Sequence, residues 1–487
     1  MVTQADFAAV APMLMVTLAA CAMLVAEAIR RPGDRMPFQV LAFIGLGGAI
    51  WASWASWDLH RIGFGVIVAD NFSLFLNIVL CGIGLLTVML STGTSDRDGL
   101  PSGEYHALLL FSLVGMMMIA STNDLLVVFV ALEILSLGVY VMTGLRRTSE
   151  QSAEAAFKYF VLGAFSSAFF IYGVALAYTV AGSTRLDQIG LHVASAASAP
   201  DLILTMAMVL LLVGFAFKIS AVPFHMWTPD AYQGAPTIVT GFMSTAVKAA
   251  AFAAFVRVFL TALEPLRVDW VPVLSAIAAL TMILGTVVGV AQTNVKRMLA
   301  YSSIAHVGYL LVGMVAANSA GKAAILFYLV AYGVTNLGAF GVLAALSSQD
   351  RPHDEVRDFA GLGRDRPGLA ALLTIFLLSL GGFPPTVGFV AKWHIFNAAL
   401  QEHLVTGQSN LVWLAIIGVL TSVIAVFFYL RIVVMMYMSE EKAPAHRPAL
   451  PVLAATGLAV ALIAVFYLGI LPGQLLAVAA DSVASIF

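Results

Sequence analysis

Residues 201–233 read DLILTMAMVLLLVGFAFKISAVPFHMWTPDAYQ, and residues 369–401 read LAALLTIFLLSLGGFPPTVGFVAKWHIFNAALQ. Each apolar run is longer than the about 20 residues that one plain bilayer crossing takes. Each also carries breakers near its middle, at Ala221-Val222-Pro223 and at Gly381-Gly382-Phe383-Pro384-Pro385. Proline removes a backbone donor and clashes with the preceding turn. The freed backbone groups cannot face hydrocarbon, so they must face protein or water. Two broken membrane helices, five segments apart, are the pattern of repeated halves in a transporter.

Working outward from these two segments, apolar runs lie near 8–29, 38–57, 68–91, 105–121, 124–145, 155–181, 236–260, 272–291, 299–317, 322–347, 411–438 and 450–478. With the two broken runs they predict an all-α polytopic membrane protein of about 14 transmembrane helices. The organisation expected is an N-terminal three-helix segment (1–100), a five-helix repeat (104–260), a second such repeat (272–438) and a C-terminal helix (450–487). Five crossings is an odd number, so the second repeat must be inverted relative to the first. Strands are not expected, because a membrane barrel needs alternating segments of about 10 residues.

Composition agrees. Of 487 residues 61% are hydrophobic and 10% are charged, against about 25% charged in a soluble domain. The mean hydropathy is +0.97. These values exclude a soluble enzyme and a disordered chain. A formal net charge of -2 offers no basic tail to DNA or RNA. The two cysteines, Cys21 and Cys81, sit inside apolar runs without metal-ligand spacing and read as buried small apolar residues. The start, MVTQADFAAV, lacks the basic region of a cleaved signal peptide, so the first helix is expected to be retained.

Basic residues set the orientation. Arg30, Arg31, Arg35, Arg97, Arg146, Arg147, Lys296, Arg297, Arg351, Arg357, Arg364, Arg366, Lys442 and Arg447 fall on alternate loops, which are assigned to the cytoplasm. The opposite loops carry only Arg61, Arg185, Arg267 and Lys322. Both termini are then expected outside the cytoplasm.

Charges inside the apolar runs carry the chemistry, because each costs a few kcal/mol to insert. Glu133, Lys218, Lys248 and Lys392 lie well inside such runs, none with an opposite charge within four residues. A structural ion pair could account for one pair, but not readily for four groups with an excess of lysine. The alternative is a proton path, in which a Glu133–Lys218 pair that can separate acts as a switch. Removal from water disfavours a charged side chain and an opposite charge restores it. His225, just after the break proline, and His306, beside Tyr301-Ser302-Ser303, suit a relay. Glu154 and Lys158 share a helix face at i, i+4 and either pair with each other or assist the path, with Lys158 the deeper. Arg431 and Arg257 are expected to snorkel toward opposite surfaces. Asp230 is expected to cap a helix or help a proton enter. No GxGxxG, GxxxxGK[ST] or HExxH motif is present, so no nucleotide, flavin or metal chemistry is indicated.

At this point the motifs ALEILSLGVYVM (131–142), EAAFKYFVLGAFSSAFFIYG (154–173), FKISAVPFHMWTPDAYQGAPT (217–237), NVKRMLAYSSIAHVGYLL (294–311) and LGGFPPTVGFVAKWHIF (380–396) together resemble the antiporter-like membrane subunits of respiratory complex I. The similarity is strongest to the subunit N branch, the counterpart of mitochondrial subunit 2. Lys392 stands where the subunit M branch has a glutamate, and the short C-terminus differs from the long lateral helix of the subunit L branch.

The resemblance implies a bacterial inner-membrane, multi-pass subunit of the proton-pumping NADH–quinone oxidoreductase, with both termini periplasmic. Glu133 matches the helix-5 glutamate, Lys218 the lysine of the broken helix 7, Lys248 the central helix-8 lysine and Lys392 the terminal helix-12 lysine. His225 and His306 match positions on the hydrated axis between them. The implied role moves protons from cytoplasm to periplasm as quinone is reduced elsewhere in the complex. The chain itself would hold no cofactor, metal or redox centre, and FMN and iron–sulfur clusters would sit in partner subunits. The implied partners are subunit M, the small membrane subunits and lipids, with no nucleic acid. Subunits of Mrp-type cation/proton antiporters and of membrane-bound hydrogenases resemble the same motifs and stand as the alternative. A stand-alone solute transporter and a passive scaffold are further options. The first predicts uptake by the purified chain, the second indifference to neutralised charges.

Overall fold

The structure is a computed structural model that describes residues 3–31, 36–196, 202–347, 354–440 and 450–486. Arg35, Arg351, Lys442 and Arg447 of the orientation pattern lie outside these residues. In chain order the elements are α1 (Gln4–Ile29), α2 (Phe38–Ala55), β1 (Arg61–Gly63), β2 (Ile67–Ala69), α3 (Asn71–Ser91), α4 (Thr94–Arg97), α5 (Ser102–Ala120), α6 (Leu125–Thr143) and α7 (Glu150–Ala181). They continue with α8 (Leu186–Ala196), α9 (Leu202–Ile219), α10 (Trp227–Gly234), α11 (Thr237–Arg257) and α12 (Arg267–Val290). Then follow α13 (Val295–Ala316), α14 (Ser319–Leu346), α15 (Leu362–Asp365), α16 (Pro367–Gly381), α17 (Val387–Thr406), α18 (Ser409–Met438), α19 (Val452–Ile470) and α20 (Gly473–Ala484).

Among the described residues, 13 helices are long and apolar enough to cross a membrane. The further crossing expected from sequence is the broken pair α16–α17, of which α16 is too short to qualify alone. Both expected breaks are present, between α9 and α10 and between α16 and α17. Polar residues start many of the crossings. Asp124, Asn294 and Asn318 accept hydrogen bonds from the first-turn amides of α6, α13 and α14, which would otherwise be unpaired.

Contacts at the helix ends define two faces. On one, Asp230 in α10 meets Lys158 near the start of α7 and Arg297 near the start of α13. On the other, Arg257 at the end of α11 meets Asp70 at the start of α3, and Arg267 at the start of α12 meets the end of α13 at the Ala316 carbonyl. The run α5, α6, α7, α9–α10, α11 therefore starts from the first face, and α12, α13, α14, α16–α17, α18 from the second. Every residue of α11 is buried, and α13 and α14 are nearly so. These three form the core, while α1, α7 and α19 lie at its edge with most of their surface outward. Gly285 and Gly308 let α12 and α13 approach until a side chain at either would meet the other's backbone.

Several expectations need correction. Cys21 is exposed on the outward side of α1, and only Cys81 is buried. The run 450–478 is two helices, because Pro472 cannot continue α19. A short antiparallel hairpin, β1–β2, joins α2 to α3, so the fold is not wholly without strands. Arg257 does not snorkel. It is 5% exposed and grips Asp70 with two parallel bonds of 2.8 and 2.9 Å. Arg431 turns inward and donates to the Val290 and Gln292 carbonyls at the end of α12, where a cation opposes the helix dipole.

The Arg257–Asp70 pair yields a prediction. Asp70→Ala strands a buried guanidinium and should cost about 3–5 kcal/mol. Thermal unfolding of the detergent-solubilised protein measures it. Asp70→Asn, which keeps an acceptor for the cap and for arginine, should lose clearly less, and equal loss in the two would refute the pairing.

Candidate functional site

Lys218 lies in the last turn of α9, and its surroundings follow from how that helix stops. Ser220 takes a left-handed conformation (φ 67). The amides of Ser220 and Ala221 then bond back to the carbonyls of Phe217 and Ala216 at 3.0 and 2.8 Å. α16 stops the same way: Gly382 is left-handed (φ 90), and the amides of Gly382 and Phe383 return to Ser379 and Leu378 at 3.0 and 3.1 Å. This closure satisfies some terminal carbonyls and leaves others pointing forward. At the first break the Trp227 indole N–H donates to the Phe217 carbonyl at 3.0 Å. At the second, Lys392 Nζ from α17 donates to the Leu380 and Gly381 carbonyls at 2.9 and 3.0 Å. The ammonium thus sits at the negative end of the α16 dipole.

Among the described residues, no carboxylate holds Lys218, Lys248 or Lys392. Lys218 Nζ donates to Ser136 Oγ of α6 at 2.6 Å and lies 5.5 and 5.7 Å from the ring centres of Tyr140 and Tyr159. Lys248, about halfway along α11, donates to the Ser303 carbonyl at 3.1 Å and to the Ser303 hydroxyl. Tyr332 Oη donates to the same hydroxyl at 2.8 Å, and Tyr232 Oη lies 3.5 Å from it. One turn along α13, His306 Nδ1 bonds Tyr328 Oη at 2.6 Å and packs on Tyr309 and Tyr332. Lys392 Nζ is 5.1 Å from the Tyr309 ring centre. All three lysines are buried.

A run of side-chain contacts connects these groups, ring against ring between Lys218 and Tyr232. Tyr159 beneath Lys218 stacks on Trp227 at 4.1 Å, and Trp227 meets Tyr232 edge-on. Tyr232 reaches Ser303, which Lys248 also touches, and His306 and Tyr309 lead to Lys392. Rings beside an ammonium offer their negative faces without a fixed counter-charge. A serine hydroxyl accepts from an ammonium and can donate to a neutral amine, so it serves a lysine in either protonation state.

Glu133 and Lys218, expected as a pair that can separate, are not in contact in this structure. Glu133 is half-buried in α6 and accepts a hydrogen bond from Ser167 of α7. It stands one turn before Ser136, the hydroxyl that Lys218 touches, on the same helix face. Glu154 and Lys158 pair with each other at 2.7 Å, and Lys158 also bridges to Asp230 at 3.0 Å. Lys158 lies one turn further along α7 than Glu154, and its side chain is exposed. His225 is half-buried in the first break, its Nδ1 has no hydrogen-bond partner among the described residues, and the structure does not bring it to the line. Ser136, Tyr159, Tyr232, Tyr309, Tyr328 and Tyr332 were not singled out from sequence, and Ser303 entered only as a polar neighbour of His306. A small hydroxyl one turn from a buried charge, as in Glu133/Ser136 and Ser303/His306, was the available signal. A cavity of about 330 Å³ opens beside Lys392 between Gly382, Phe383, Trp393 and Ser422, so this end of the line is not sealed by the chain itself.

Residues 122–425 match the family described as NADH:quinone oxidoreductase/Mrp antiporter, TM. A protein named NADH-quinone oxidoreductase subunit N from Trichlorobacter lovleyi is 42% identical over 446 residues, covering 91% of this chain and 90% of that one. A chain of the respiratory complex I from Thermus thermophilus with bound Aureothin is 33% identical with a TM-score of 0.79, covering 96% of this chain and 99% of that one. A chain of the Mrp complex from Dietzia sp. DQ12-45-1b has a TM-score of 0.83 over 98% of this chain and 97% of that one, but at 22% identity it shares the fold alone.

The hydroxyl at 136 can be tested by a double-mutant cycle. Ser136→Ala removes the acceptor of a buried ammonium and should cost about 1.5–3 kcal/mol in thermal unfolding. Lys218→Met combined with it should recover most of that loss, since neither partner then remains unsatisfied. Strictly additive losses would show that the two side chains do not interact.

Proposed function

The chain belongs to the NADH:quinone oxidoreductase/Mrp antiporter membrane-subunit family, and from that premise we propose that it is a proton-translocating subunit N in the membrane arm of NADH–quinone oxidoreductase. The observation that carries this reading is how Lys218, Lys248 and Lys392 are held, with Ser303 and His306 beside Lys248. Three buried lysines on three helices are each held by hydroxyl or carbonyl oxygens instead of carboxylates.

Such a line suits charge that must move. A carboxylate in contact would trap each ammonium, because breaking a buried ion pair costs several kcal/mol. Hydroxyls, carbonyls and ring faces solvate the charge without neutralising it. Moving one charge across 100 mV takes about 2.3 kcal/mol, so small changes around each lysine suffice to pass a proton on. Glu133 tunes Lys218 from a short distance, and a shift of α6 against α9 would change that influence. Protons enter from the cytoplasmic face near the first break and leave at the periplasmic face beyond the second. Residues 104–260 and 272–438 act as two inverted repeats, each supplying one half-channel through its broken helix. Electron transfer through FMN and iron–sulfur clusters, and quinone reduction, belong to partner subunits, with subunit M and the small membrane subunits as neighbours in a bacterial inner membrane.

The reading is tested in purified complex reconstituted into liposomes. Lys218→Ala and Glu133→Ala should each lower NADH-driven proton translocation severalfold while the complex assembles normally, and normal pumping in a well-assembled variant would overturn it. Lys392→Ala should be equally damaging, whereas Arg431→Ala should lower thermal stability and leave pumping per assembled complex unchanged. Equal loss of pumping in both would remove that distinction.

A further inference from the structure

Beyond Lys392 the structure holds a carboxylate that the sequence reading did not single out. Glu402 lies on α17, about 15 Å further along the axis. Val387, Ala391, Lys392, Ile395, Ala398, Ala399 and Glu402 form one buried stripe of that helix. Glu402 is 9% exposed, and its Oε1 accepts from Arg267 Nη2 at 3.0 Å. The same guanidinium nitrogen donates to the Ala316 carbonyl at 2.8 Å, which fixes it at the end of α13. Glu402 and Arg267 line a cleft of about 590 Å³ with Ser275, Gln408 and Asn410. Between lysine and glutamate, one turn before Glu402, the Asn318 side chain donates to the Ala398 carbonyl at 2.9 Å, so the interval is not wholly apolar.

The other broken crossing ends alike on the opposite face. There Asp230 of α10, beyond the first break, pairs with Arg297 at 2.7 Å. An acid on the far piece of each broken helix, tied to an arginine in the first turn of a neighbouring helix, marks both ends of the line.

We propose that Glu402 is the release group of the path: it takes the proton that leaves Lys392 and delivers it to water in the cleft. This deepens the proton-path reading and rests on it. A proton leaves Lys392 Nζ as a neutral amine forms, passes through intervening water, and converts the Glu402 carboxylate to the acid. Neutral Glu402 holds Arg267 less firmly. Cleft water then takes the proton, and the restored carboxylate pairs with Arg267 again. Arg267 is a positioning residue that keeps the acceptor anionic and aimed between turnovers.

The experiment uses the whole complex in liposomes. Glu402→Gln keeps a hydrogen bond to Arg267 and removes the titratable group. It should lower the initial rate of proton translocation severalfold with assembly and melting temperature unchanged, while Glu402→Asp retains most of the rate. In Glu402→Gly, added formate, a small weak acid that fits the cleft, should restore pumping, which a purely structural ion pair would not allow. Normal pumping in Glu402→Gln, or no response of the glycine variant to formate, overturns the assignment. Lys392→Ala run in parallel separates the two levels. If it stops pumping while Glu402→Gln does not, only the release group is wrong; if neither matters, the path itself falls.

Discussion

An ammonium group enclosed by apolar helices must find oxygen acceptors inside the protein, because burying it unsatisfied costs more than the fold can supply. This chain meets that demand by breaking helices and by placing serines on neighbouring ones. The second break turns the Leu380 and Gly381 carbonyls toward Lys392. Ser136 and Ser303 serve Lys218 and Lys248. Tyrosines fill the space around them, adding polarisable faces and hydroxyls without adding fixed charge.

Charge is distributed by depth. Carboxylate-to-cation pairs stand at the two faces: Arg257–Asp70 on one, Arg146–Asp98 and Arg297–Asp230 on the other. Such pairs tie helix ends together. Deeper in, the lysines contact only neutral groups, and Glu133 contacts a serine. The faces are thus pinned while the interior keeps charges that no carboxylate neutralises, a division that fits the proposed proton path.

Much of this was legible in the sequence. The crossings followed from hydropathy, since lipid imposes a length on every helix, and both breaks followed from their prolines and glycines. The four interior charges stood out because hydrocarbon makes them costly. The partners were less legible, since Ser136 serves a lysine far away in sequence and nothing local marks it for that task. Complementary charge pairs Glu133 with Lys218 in the sequence reading, but in the structure each contacts a serine instead, Ser167 and Ser136. Which way Lys158 points was not legible, because position along a helix does not say which side faces outward. Arg257 looked like a residue reaching for the surface until α3 brought Asp70 beneath it.

The central claim is that the interior groups form one connected, wettable line. A high-resolution density map of the assembled complex in membrane-like lipid tests it most directly. Ordered waters bridging Lys218, the Ser303–Lys248 pair, His306 and Lys392 into an unbroken chain are the expected result. Dry side-chain packing that isolates these groups from one another would contradict it.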